Sequence, residues 1–133
     1  MTKGQVKFQK FISREDLIAN RNSVYVFGDN ILRCGFGGQA REMRHEPNAV
    51  GIPTKWRPSM TDDAFFNDSD YDKVVAILSK DFDSIKDAIE CGKNVVFPAD
   101  SLGTGLSQLQ TRSPKIFKYV EDNIIALVEY SKK

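Results

Sequence analysis

The chain is short of the residues that most readily betray a function. Its 133 residues include two cysteines, one histidine and one tryptophan. Cys34 and Cys91 are too few for a disulfide scaffold and do not form a metal-ligand spacing, so both are expected as reduced thiols and no metal is called for. No stretch approaches the roughly 20 apolar residues of a membrane span. The opening MTKGQVKFQKF lacks the apolar core of a signal peptide. Both absences lead to the expectation of a soluble, cytoplasmic protein that engages no membrane. An excess of one charge is missing too, since 19 basic side chains meet 18 acidic ones for a net charge of +1. Generic nucleic-acid binding needs a concentrated basic face, so it is not expected. The lysine spacing of a P-loop is absent, as is a GxGxxG with its distal acid, which disfavours ATPase and Rossmann readings.

What the chain does contain is ordinary globular material. Hydrophobic residues make up 41% and charged residues 28%, and the length suits one domain over residues 1–133. VKFQKFI (6–12) alternates at Val6 and Phe8, as a half-buried strand does. SREDLIANR (13–21) follows as a short helix, with Ser13 as N-cap and Asp16 three residues on. SVYVFG (23–28), NAVGIP (48–53) and NVVFPA (94–99) are nearly continuous apolar runs, the mark of strands buried on both faces. GGQAREMRH (37–45) has helix formers until Pro47. TKWRPSMTDDAFFND (54–68) is predicted to be a polar loop carrying Trp56, Phe65 and Phe66. From residue 69 to Gly92, Val74, Ile77, Leu78, Phe82, Ile85 and Ile89 form one apolar stripe of a long helix. Ser113 and Pro114 open the last helix as N-cap and N1. Helices between such strands indicate an α/β fold, with three α/β/α layers and a mainly parallel or mixed sheet.

Two glycine-containing loops follow directly from apolar strands, so both belong to the carboxyl end of the sheet, where ligands of such folds bind. The first runs from Gly28 through Gly35, Phe36, Gly37 and Gly38 to Gln39 and Ala40. Its glycines let a ligand approach the backbone, and a helix starting near Gly38 would direct free N–H groups at a phosphate. Strand-to-helix turns of this composition also serve packing alone. The second loop holds Asp100, Ser101, Leu102, Gly103, Thr104, Gly105, Leu106 and Ser107. Two such loops at one edge can clasp a phosphate from both sides.

With GFGGQA, then GIPTK after the next strand, then VVFPADSLGTGLSQL, the chain resembles the macro domain over roughly residues 24–128. It is most similar to divergent branches that cleave ADP-ribose from proteins or nucleic acid, and to small phage and bacterial proteins. The resemblance implies a macro-like fold that binds ADP-ribose or a related NAD-derived nucleotide, on its own or on an ADP-ribosylated macromolecule, with no cofactor. The family's N-A-A-N segment is missing, with Gly28–Asn30 nearest to it. Ser107 stands where one glycohydrolase branch carries a catalytic aspartate.

The individual residues carry competing readings. Asp29 and Asn30 are candidates to hold a ribose hydroxyl or a water, or to form a turn. Asp100 is a candidate general base or a turn residue. Arg44 matches a functional lysine of the related branch, and can clamp phosphate but not act as a nucleophile. Thr54, Lys55, Thr104 and Ser107 offer phosphate contacts, while Trp56, Phe65, Phe66 and Tyr71 either stack on a ligand or anchor their own loop. Three functions follow: hydrolysis of an ADP-ribosyl linkage, non-catalytic sensing or sequestration of the nucleotide, or an interaction module with vestigial loops.

Overall fold

A computed structural model of the chain describes residues 2–100, 102 and 108–133. The four strands are β1 (Val6–Gln9), β2 (Val24–Asn30), β3 (Ala49–Lys55) and β4 (Val95–Pro98). The helices are α1 (Arg14–Ala19), α2 (Ala40–Met43), α3 (Tyr71–Glu90), α4 (Leu109–Arg112) and α5 (Pro114–Ser131). The sheet order is β1-β4-β2-β3 and each neighbouring pair is parallel. The sheet is therefore parallel rather than mixed, and every strand ends at the same edge.

Alternation along the strands sorts the core onto two faces. Val24 and Val26 of β2, Ile52 of β3, and Val95 and Phe97 of β4 pack in one cluster with the stripes of α3 and α5. Tyr25, Phe27 and Val96 point the other way, onto Ile12, Leu17 of α1, and Ala40 and Met43 of α2. Helices thus cover both faces, which is why these strands read as apolar throughout. Among the described residues no helix is long and apolar enough to cross a membrane.

Several elements differ from the sequence expectations, each for a visible reason. β1 is a four-residue edge strand, and Phe8 lies half exposed against the Phe97 ring, 6.0 Å between centroids. β2 runs on to Asn30 and β3 to Lys55, two residues past each predicted end. β3 continues through Pro53 because it is an edge strand, where a missing N–H leaves no ladder bond unmade. The helix predicted over 37–45 is a single turn, and α4 was not foreseen. Ser113 precedes Pro114 as expected but does not cap: its hydroxyl donates to the Phe66 carbonyl. The Asp68 carboxylate takes over that task, accepting from the Lys115 N–H at 3.0 Å. Asp16 does complete the capping box with Ser13 on α1.

Leu78 is fully buried between α3 and the sheet cluster. Leu78→Ala should lower unfolding free energy by about 2–5 kcal/mol in urea titrations; a loss under 1 kcal/mol would mean that this face is not close-packed.

Candidate functional site

Because all four strands end together, their exit loops surround one depression. The cavity there has a volume of about 560 Å³, within the range of small-molecule sites. It is lined by Lys10 after β1, by Gly28–Asn30 of β2, and by the chain from Cys34 to Ala40 together with Arg44. Thr54 and Lys55 of β3 with Pro58, Ser59 and Met60, and Pro98, Asp100 and Leu102 at the end of β4, complete it. Of the described candidates from the sequence, Gly28, Asp29, Asn30, Gly35, Phe36, Gly37, Gly38, Gln39, Ala40, Arg44, Thr54, Lys55, Asp100 and Leu102 lie on this wall. Ser101 and the candidates Gly103, Thr104, Gly105, Leu106 and Ser107 lie outside the described residues. Lys10, Cys34, Pro58, Ser59 and Met60 were not anticipated. Lys10 was legible in principle, since it follows a strand of the same sheet, whereas the return of the 56–61 segment onto the site has no sequence signal.

Arg44 is the most heavily engaged side chain here. It stands just past the single turn of α2, where the backbone turns extended at ψ 139°. Its Nη2 donates to Asp29 Oδ1 at 2.5 Å and to the Cys34 carbonyl at 3.1 Å. Nη1 donates to Asp29 Oδ2 at 3.4 Å, Nε donates to the Gly35 carbonyl at 2.6 Å, and the guanidinium lies over the Phe27 ring. Side-chain exposure is 8% for Arg44 and 3% for Asp29. The expected phosphate clamp and the expected base are thus turned on each other: Arg44 spends all three nitrogens inside the protein, and both Asp29 oxygens are occupied. Gly51 on β3 makes room for the pair, since a Cβ there would fall 2.3 Å from Asp29 Oδ2. A second, smaller cavity of about 260 Å³ opens on the far side of this pair, beside Arg33 and His45. Arg33 is anchored there by both oxygens of Asp81, whose carboxyl is pushed up by burial although Arg33 opposes that shift.

Asn30 presents the opposite case. The parallel register slips between Asp29 and Asn30, and such an irregularity re-aims the side chain that follows it. Asn30 Nδ2 donates to the Cys34 carbonyl at 2.8 Å. That bond fixes which end of the amide is nitrogen, because a carbonyl cannot accept from Oδ1. Oδ1 is buried and has no hydrogen-bond partner among the described residues. A buried acceptor left unpaired costs about 1–3 kcal/mol, so this atom is an unmet demand for a donor.

The remaining groups fall into place around these two. Lys55 Nζ donates to the Ser59 carbonyl at 3.0 Å and lies over the Phe65 ring; burial holds its ammonium below the ordinary lysine value. Thr54 donates its hydroxyl to the Asp29 carbonyl, and Gln39 donates to the Ile12 carbonyl, so both are structural as well as lining. Asp100 is exposed, with no ion pair among the described residues. One turn of helix at α2 is too short to carry the dipole expected at its start. The N–H groups of Phe36, Gly37 and Gly38 nevertheless find no backbone acceptor among the described residues. Trp56, Phe65, Phe66 and Tyr71 lie outside the cavity wall and anchor their own segment, Trp56 meeting Phe66 edge-on at 5.0 Å. His45 is exposed and packs on Phe36.

Residues 7–123 match a family described as Family of unknown function (DUF7831). No curated protein and no solved structure matches the chain.

Arg44→Met leaves the Asp29 charge buried without its partner, and should cost about 3–5 kcal/mol of stability. Adding Asp29→Leu should recover part of that loss, the coupling expected of side chains in contact. Strictly additive losses in chemical denaturation would show that the two do not act as a pair.

Proposed function

Since the chain belongs to DUF7831, a family of unknown function, its own site must supply the reading, and we propose that the cavity binds ADP-ribose or a related NAD-derived nucleotide. The observation that carries this is Asn30, a residue of the cavity wall whose buried Oδ1 has no hydrogen-bond partner among the described residues and would be satisfied by a ribose hydroxyl. Around it lie the cations and donors that an attached diphosphate requires: Lys55, Lys10 and the N–H groups of the Phe36–Gly38 segment. The macro-domain resemblance of the same loops agrees with that ligand.

In the hydrolytic form of this function, Asp100 accepts a proton from water as the water oxygen bonds to the anomeric carbon of the ribose. The bond to the modified group breaks, and the leaving group takes a proton from solvent. Asp100 suits the task better than Asp29, whose oxygens are held by Arg44. A second reading, binding without turnover, is favoured by that same captive Asp29 and by Ser107 where a glycohydrolase branch has its acid.

Thermal unfolding with ADP-ribose separates these readings from an interaction module. Ligand at 100 times its dissociation constant should add about 2.7 kcal/mol of stability. Asn30→Ala should weaken binding roughly ten- to a hundredfold, the equivalent of one buried hydrogen bond. No stabilisation by ADP-ribose or NAD would overturn the proposal. Product release from an ADP-ribosylated substrate, lost in Asp100→Ala while binding persists, would establish the hydrolase; its absence from the wild type would leave the sensor.

Lys55 makes binding pH-dependent. Its ammonium loses the proton at a lower pH than the ordinary 10.5, so affinity for an anionic ligand should begin to fall below that pH. Titrations of Lys55→Met should start weaker and lack that component of the decline.

A further inference from the structure

We infer that Phe36 and Met60 form a seat for a planar aromatic ring carried by the ligand, next to the polar part of the cavity. The inference rests on the nucleotide reading and deepens it by naming which protein groups hold the base.

Seven large apolar side chains of the described residues are exposed, and of these Phe36 and Met60 alone line the cavity, at 55% and 53% exposure. They stand on two different segments that touch each other: a Cβ on Gly35 would lie 3.0 Å from the Pro58 Cβ. Phe36 follows Gly35 directly and Met60 comes two residues after Pro58, so that contact ties together the two segments that carry these wall residues. Neither is loose. The Phe36 ring packs at 5.6 Å on the ring of His45, a residue itself held at φ +75°. Met60 Sδ lies 3.7 Å from Lys55 Nζ.

The division of chemistry across the wall assigns the parts of the ligand. Asn30 and Asp100 suit hydroxyls, and Thr54 and Lys55 suit phosphate oxygens as well, while the polar groups of all four are not aromatic faces. Phe36 offers an aromatic face, and Met60 a polarizable thioether, which favours contact with aromatic rings. A purine bound there covers apolar surface that is otherwise left to water.

The test compares two ligands that differ by the ring. Affinities for ADP-ribose and for ribose 5-phosphate are measured in the wild type, Phe36→Ala, Met60→Ala and Phe36→Tyr. Each alanine variant should bind ADP-ribose about tenfold or more weakly, as loss of base stacking does, and ribose 5-phosphate as well as before; Phe36→Tyr should retain wild-type affinity for both. Etheno-ADP-ribose should show a base-fluorescence change on binding that Phe36→Ala diminishes. Unchanged ADP-ribose affinity in the variants, or equal weakening of both ligands, overturns the ring seat while leaving nucleotide binding in place. A wild type that binds neither ligand overturns the nucleotide reading and the seat with it.

Discussion

Arg44 and Asp29 meet where the carboxyl end of β2 faces the chain leaving α2, and the shape of the cavity follows from that meeting. A carboxylate at a strand end with no partner would draw water into the sheet. A guanidinium at 8% exposure with no partner would be costlier still. Paired, they neutralise each other, and the guanidinium keeps two donors for the carbonyls of Cys34 and Gly35. Those carbonyls belong to the glycine-rich segment, which Asn30 also holds through the Cys34 carbonyl. One buried ion pair therefore sets the course of the loop that forms much of the wall.

The same Cys34 carbonyl accepts from Asn30, which links the ion pair to the buried side-chain atom that has no hydrogen-bond partner among the described residues. Fixing Nδ2 there leaves Oδ1 with nowhere to turn within the described protein. Folding thus uses Asp29 and Arg44 to satisfy each other and leaves Asn30 half satisfied. Buried polar groups are almost always paired, and the exceptions concentrate where a ligand or water completes them. Adjacent residues of one strand, identical in sequence-level promise, end with opposite tasks because the irregularity between them aims them at different neighbours.

That contrast marks what the sequence could and could not tell. The strands were legible because burial on both faces leaves long apolar runs, and the edge that carries the site followed from parallel order. The glycines between Gly35 and Gly38 line the cavity at that same edge. The role of Arg44 was not legible: its partner is 15 residues away, and nothing in the pattern of charges distinguishes an inward guanidinium from one that faces a ligand. The end of β3 was missed because Pro53 signals termination in general and continuation only at an edge. Met60 and Ser59 reached the site through the way the 54–68 segment is anchored by Phe65 and Phe66, both buried. That anchoring depends on tertiary contacts rather than on any local motif.

Both walls are consequently held before any ligand arrives. The glycine-rich side is tied down by Arg44. The 55–66 segment is pinned by Phe66 against Trp56, by the isolated bridge between Lys55 and Phe65, and by the bond from Lys55 to Ser59. A site fixed in this way loses little conformational freedom on binding, so a modest number of polar contacts yields useful affinity. Moving the glycine-rich loop means breaking the bonds that its Cys34 and Gly35 carbonyls accept from Arg44. Among the described residues of the cavity wall, Asp100, exposed at the end of β4, is the carboxylate that lies outside the Arg44 network.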